Sequence, residues 1–236
     1  MNTTISGQIA LVAGGTGGLG RAVSLAFLEE GARAVVVTYR KADEFGALKS
    51  AAGANADRLE GLDVDVTDEQ AVRGLVAAIR ARHGRLDALV NAVGGYAGGM
   101  PLWEQVPATL DRMLNLNLRS GYTLLRAAVP AMLSQGRGAI VNVASTAAFD
   151  HGAGNAAYAA SKAAAVALVD SLAEDLKGTP VRANSILPSV IDTDANRKAM
   201  PNADFSKWPK PEEIARVILF LVSDDAKLVR GAAIPV

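Results

Sequence analysis

Tyr158 and Lys162 stand four residues apart in Tyr158-Ala159-Ala160-Ser161-Lys162, inside an Ala-rich stretch of helical character. On a helix that spacing puts both side chains on one face, one turn apart. An ammonium beside a phenol favours the phenolate, so the pair is expected to lower the Tyr158 pKa and let it exchange a proton near neutral pH. A partly buried tyrosine next to a solvated lysine would leave the same letters. Two other features single the pair out: Ser145, thirteen residues upstream, and a glycine-rich segment near the N-terminus.

That segment is Ala13-Gly14-Gly15-Thr16-Gly17-Gly18-Leu19-Gly20. It follows a short apolar run and opens a helical pattern. Glycines let a backbone turn tightly and approach a pyrophosphate, which a helix N-terminus then attracts. G-x-G-x-x-G fits at 15, 17 and 20, and G-x-x-x-G-x-G at 14, 18 and 20. A plain strand-to-helix turn does not need five glycines in seven residues. After the second apolar run the chain reads Thr38-Tyr39-Arg40-Lys41, with no carboxylate before Asp43. An acidic residue there accepts from the 2′-hydroxyl of NAD, whereas a cation accommodates the 2′-phosphate of NADP. Arg40 and Lys41 thus predict an NADP preference, with NAD possible. As ordinary solvated loop charges they would predict nothing.

These residues need a scaffold, and the remaining sequence supplies one. The 236 residues are half hydrophobic and one-fifth charged (50% and 20%), which is enough for one core and not a disordered composition. Lys+Arg and Asp+Glu both total 24, giving a formal net charge of zero. That removes the electrostatic case for a nucleic acid or an anionic membrane. With no cysteine, thiol nucleophiles, disulfides and cysteine zinc sites are excluded; two histidines, His83 and His151, argue against a metal site. The start, Met1 to Gly7, lacks a signal-peptide pattern, and Asp170 and Glu174 interrupt the Ala/Leu-rich stretch at 163–176. A cytoplasmic protein is expected.

Apolar β-rich runs at 9–13, 34–39, 58–63, 86–92, 138–144, 181–187 and, weakest, 232–236 alternate with helical patterns at about 19–30, 68–82, 107–135, 155–177 and 211–223. Continuously apolar strands between helices predict a single α/β domain, doubly wound, with a mainly parallel seven-stranded sheet flanked by helices. A proline-bearing stretch at 192–210 reads as irregular, either a substrate loop or a surface connection. Thr67 with Gln70 reads as a capping box for the helix that follows. His83 before Gly84 reads as a helix end, and His151 as a surface residue or a neighbour of the substrate. Tyr96, Met100, Trp103 and Trp208 are candidates for lining a pocket, although core packing is the preferred reading of Trp103.

Together these motifs resemble the short-chain dehydrogenase/reductase family over essentially the whole chain. The glycine turn is similar to that family's T-G-x-x-x-G-x-G, with Ala13 in place of Thr. The resemblance implies cofactor contacts at Gly14, Thr16, Gly17, Gly18, Leu19 and Gly20, at Tyr39, Arg40 and Lys41, and at Asp65 and Val66. Asn91-Ala92-Val93-Gly94 resembles N-N-A-G, which adds Asn91, Ala92 and Gly94. Pro188-Ser189-Val190-Ile191-Asp192-Thr193 resembles P-G-x-x-x-T, which adds Pro188, Ile191 and Thr193 at the nicotinamide end. Asn117, Ser145, Tyr158 and Lys162 match the catalytic set. The implied roles are Tyr158 as general acid, Ser145 as a hydrogen-bond donor to the substrate oxygen, and Lys162 as a tuner of Tyr158 that also binds the nicotinamide ribose. Asn117 would hold a relay water through its backbone or side chain. The segments 94–99 and 192–208 resemble dihydropteridine reductase, a divergent member of the family.

The implied activity is hydride transfer between NADP(H) and a small carbonyl or alcohol. A quinonoid pterin reductase and a non-catalytic NADP-sensing regulator are the alternatives. Self-association as a homodimer or homotetramer is implied through the helices at 107–135 and 155–177.

Overall fold

Val, Ile, Leu and Ala runs form the strands in a computed structural model of the chain, which describes residues 5–236. Met1 to Thr4, part of the segment read for a signal peptide, lie outside the described residues. The strands are β1 (Ile9–Ala13), β2 (Ala34–Tyr39), β3 (Leu59–Asp63), β4 (Ala88–Asn91), β5 (Gly138–Val143), β6 (Val181–Leu187) and β7 (Ala233–Pro235). They form one sheet in the order β3-β2-β1-β4-β5-β6-β7, and every described pair is parallel.

Alternate residues of these strands enter two separate cores. Ala10, Val12, Val35, Val37, Val90 and Val141 pack beneath α1 (Gly18–Glu29) and α8 (Pro211–Val222). Ile9, Leu11, Val36, Leu89 and Ile140 face α3 (Glu69–His83) and α5 (Ser120–Ser134). Burial on both faces explains why β1 and β2 are apolar through most of their length rather than alternating. Each fully buried Leu, Ile or Val contributes about 1.5–3 kcal/mol of transfer free energy.

Sequence periodicity predicts no helix between 40 and 57, yet α2 (Ala42–Ala52) forms there. Only Leu48 and Ala52 of it are buried, so it carries no apolar stripe to read. The single helical pattern at 107–135 is α4 (Pro107–Leu114), a π-helical segment at Asn115–Arg119, and α5. The stretch read as irregular contains α7 (Asp194–Ala199) and a 3-10 turn at Phe205–Lys207. Thr67 does not cap α3. Asp68 does, accepting from the backbone N–H groups of Gln70 and Ala71, while the Thr67 hydroxyl donates to Asp65. Gly84 ends α3 in the left-handed conformation, as His83-Gly84 predicts.

Of the described helices, α6 (Ala156–Asp175) is long and apolar enough, by length and composition, to cross a bilayer. Its buried face, with Ala157, Ser161, Ala165 and Val169, lies against the domain. It carries Tyr158 and Lys162 on its first turns.

Candidate active site

Sheet order reverses between β1 and β4, and in such sheets ligands occupy the crevice beyond the carboxyl ends at that reversal. The chain places its unusual residues there. The turn after β1 needs Gly14 at φ +73, a conformation that glycine adopts at little cost. The Gly14 N–H donates to Thr38 Oγ1 at 2.9 Å and the Gly17 N–H to Gly14 O at 3.1 Å. Gly20 lies so close to this turn that a Cβ would stand 2.1 Å from Gly14 O. A Cβ on Gly18 would stand 2.7 Å from Thr193 Cγ2. The turn therefore packs directly against the segment after β6.

Two cavities share Ala92, Val93 and Gly94 and so form one groove. The smaller, about 340 Å³, is lined by Gly14, Thr16, Gly17, Tyr39, Arg40, Lys41, Asp65 and Val66, all assigned to a cofactor on sequence. Glu44, which the sequence reading missed, lines it too. The larger, about 800 Å³, is lined by Leu19, Tyr96, Ser145, Asn155, Tyr158, Lys162, Pro188, Ile191 and Met200, among others. Gly18, Gly20, Asn91, Asn117 and Thr193, also assigned on sequence, line neither cavity. The Asn91 side chain is buried in the sheet, donating to Asn142 Oδ1 at 2.9 Å and accepting from the Val93 N–H. Thr193 Oγ1 caps α7, accepting from the Asn196 N–H at 3.2 Å, and its methyl faces Gly18.

At the larger cavity Tyr158 and Ser145 line the same wall, close enough for the Ser145 hydroxyl to act on the phenol. Ser145 Oγ accepts from the Ala147 N–H at 3.2 Å, which fixes the hydroxyl at the strand end. Burial pushes the Tyr158 phenol up, opposed by the Ser145 hydroxyl and reinforced by Tyr96. Burial likewise lowers Lys162 to about 8. Each charged form is disfavoured because each group has lost water. The lowered Tyr158 pKa expected from the spacing is therefore corrected. Lys162 Nζ is 6.0 Å from the centre of the Tyr158 ring and donates instead to Val143 O at 3.1 Å.

Asn117 sits in the π-helical segment and is buried. Its Oδ1 accepts from the Gly95 N–H at 2.9 Å, and its Nδ2 donates to Gly95 O at 3.0 Å and to Ser161 Oγ at 2.9 Å. The amide thus ties the Gly95 backbone to α6. Of the two routes expected for a relay water, backbone or side chain, the side chain has both Nδ2 hydrogens already committed. Among the aromatic candidates, Tyr96 meets Tyr158 edge-on with centroids 5.0 Å apart, and its hydroxyl donates to Asn155 Oδ1 at 2.8 Å. Trp208 packs on Phe205 rather than lining the groove. Trp103 is 84% exposed, so its core reading is overturned. Met100 lines a neighbouring cavity, and His151 Nε2 lies 3.1 Å from Ala148 O.

The Lys162 environment has a pH signature. Its folded pKa, about 8, lies below the ordinary 10.5. Between those values the unfolded chain holds more protons, so stability from this group rises with pH. The rise approaches about 3 kcal/mol in order of magnitude. Denaturant unfolding of wild type and Lys162→Met at pH 7.5 and 10 checks it. The difference in stability between variant and wild type should move in favour of wild type as pH rises. No pH dependence of that difference would contradict the buried-ammonium account.

A family model described as short chain dehydrogenase matches residues 8–204. The chain belongs to the short-chain dehydrogenase family. It is 35% identical to a D-threitol dehydrogenase of Mycolicibacterium smegmatis, covering 97% of this chain and 90% of that protein. It is 31% identical to a 3-oxoacyl-(acyl-carrier-protein) reductase of Thermotoga maritima, covering 98% and 96% respectively. A short-chain dehydrogenase/reductase structure from Burkholderia xenovorans superposes with a TM-score of 0.89 at 34% identity, covering 99% of this chain and 96% of the other. An NAD+-bound xylitol dehydrogenase superposes with a TM-score of 0.91 at 25% identity, covering 99% and 98%. None of these relatives is a dihydropteridine reductase, and the resemblance of 94–99 and 192–208 to that enzyme gains no support from them.

Proposed function

We propose that this chain is an NADP(H)-dependent oxidoreductase acting on a carbonyl or alcohol carbon, with Tyr158 as general acid and base. The observation that carries the reading is the Tyr158 hydroxyl, beside Ser145 on the wall of the larger cavity, with the Lys162 ammonium buried behind it. The glycine cradle that a Cβ at 18 or 20 would fill fits a dinucleotide. That cofactor, when bound, supplies or accepts the hydride.

The chain supplies orientation and a proton. The Gly14 to Gly20 turn and the first turn of α1 hold the pyrophosphate. Asp65 and Val66 border the adenine. Ala92 and Gly94 line the middle of the groove, and Pro188 and Ile191 hold the nicotinamide end, with Thr193 packed behind them against Gly18. Ser145 donates to the substrate oxygen and keeps the carbonyl carbon at reacting distance. Tyr158 then protonates that oxygen. Its pKa, raised by burial, keeps the proton in place at neutral pH. Lys162 binds the nicotinamide ribose hydroxyls. The Asn117 carbonyl binds a water that returns protons to Lys162.

Arg40 and Lys41, at the end of β2, favour a 2′-phosphate. A groove of about 780 Å³ lined by Asp111, Leu114, Leu118, Tyr122 and Leu168 supports self-association through the 107–134 helices and α6, as a homodimer or homotetramer. The reading extends to a cytoplasmic enzyme.

Oxidation of NADPH with a panel of ketones, quinones and quinonoid dihydropterin tests this. A ketone is expected to give the highest kcat/KM. A pterin at the top would favour the dihydropteridine-reductase-like reading. Tight NADPH binding with no turnover of any substrate would indicate a sensing protein.

A further inference from the structure

Both cations at the end of β2 are already held by carboxylates. Arg40 Nη2 lies 3.3 Å from Asp65 Oδ2, and Lys41 Nζ lies 2.9 Å from Glu44 Oε1. Glu44 does more than pair. It stands in the first turn of α2, and its second oxygen, Oε2, accepts from Thr16 Oγ1 in the phosphate turn at 3.2 Å. One carboxylate thus bridges the two segments that must hold the phosphates and the adenosine ribose. Thr16, Lys41 and Glu44 line the same cavity, whereas the neighbouring Asp43 does not.

We infer that Glu44 is a specificity-determining residue that narrows the discrimination between NADPH and NADH. The inference rests on the NADP reading above. A carboxylate only accepts hydrogen bonds. It can take one from a 2′-hydroxyl, but it faces a 2′-phosphate as a like charge. It also occupies Lys41, whose ammonium its hydrogen bond and charge hold in the protonated form. A 2′-phosphate must therefore draw Lys41 away from Glu44 before it gains that cation. Glu44→Gln removes the negative charge and retains an acceptor for Thr16.

Fluorescence titration of NADPH and NADH against wild type, Glu44→Gln and Asp43→Asn tests the inference. In Glu44→Gln the ratio of NADPH to NADH affinity should rise about tenfold, the scale of one nearby charge at a partly solvated site. The rise should come from tighter NADPH binding, and it should shrink in about 0.5 M salt. Asp43→Asn should leave the ratio within about twofold. An unchanged ratio in Glu44→Gln overturns the inference, and so does an equal rise in Asp43→Asn, which would make the effect one of general charge. The wild-type ratio separately tests the NADP reading. A wild type that prefers NADH refutes that reading, yet a tenfold rise on Glu44→Gln would still uphold the role of Glu44.

Discussion

Tyr158→Phe is expected to lower turnover by about 10²-fold or more while NADPH binding stays close to wild type. The substitution keeps the ring that Tyr96 meets edge-on and removes only the hydroxyl. That hydroxyl is the proposed proton source at the groove, with Ser145 beside it. Lys162 cannot substitute for it from its present position, because its Nζ points to Val143 O. Steady-state turnover of the best ketone, beside a cofactor titration, makes the measurement. Turnover within a few-fold of wild type would remove Tyr158 from the role of acid.

Gly20→Ala is expected to weaken dinucleotide binding by about 10²-fold, the scale at which a displaced binding element costs function, and to destabilise the fold by about 1–3 kcal/mol through overpacking. The three atoms nearest the added Cβ, Gly14 O at 2.1 Å, Gly14 C and Gly15 Cα, are all backbone. No side chain can swing aside, so the turn and α1 must separate. Gly74→Ala on α3 is the matched control. Nothing lies within 4 Å of its would-be Cβ. Replacing an exposed helical glycine there should stabilise by about 0.5–1 kcal/mol. Calorimetry and cofactor titration of both variants check the pair. Tight binding by Gly20→Ala would show that the turn tolerates a wider spacing than its contacts indicate.

Strands such as β1 and β2 were legible because burial on both faces leaves apolar runs with sharp ends. Ile9–Ala13, Ala34–Tyr39 and Val181–Leu187 coincide with their sequence runs. The pairing of Tyr158 with Lys162 on one helix was legible from spacing alone. Its electrostatics were not, because the sign of a pKa shift depends on how much water each group loses, and spacing says nothing of that. Glu44 was missed for a related reason. Its place in the groove depends on α2, a helix with two buried positions and no stripe. Trp103 misled in the opposite direction: residue type favoured the core, but the side chain is 84% exposed. Asn117 was found as a position, yet the use of its amide to hold Gly95 follows from the wider turn at Asn115–Arg119.

That wider turn has a consequence for how the chain counts its residues. A π turn accommodates one residue more than an α turn over the same rise. The extra residue is absorbed locally, so α4 and α5 keep the rotational phase they would have in an unbroken helix. Loss of one residue between 115 and 119 would leave Met113 and Leu124, buried on either side, aimed at the same neighbours. Loss of one residue elsewhere in α4 or α5 would turn everything beyond it by about 100°. The segment is therefore a place where the length of the helix and the burial of its faces are uncoupled. What depends on the surplus residue is the aim of Asn117 at Gly95, and not the packing of the helix on the sheet.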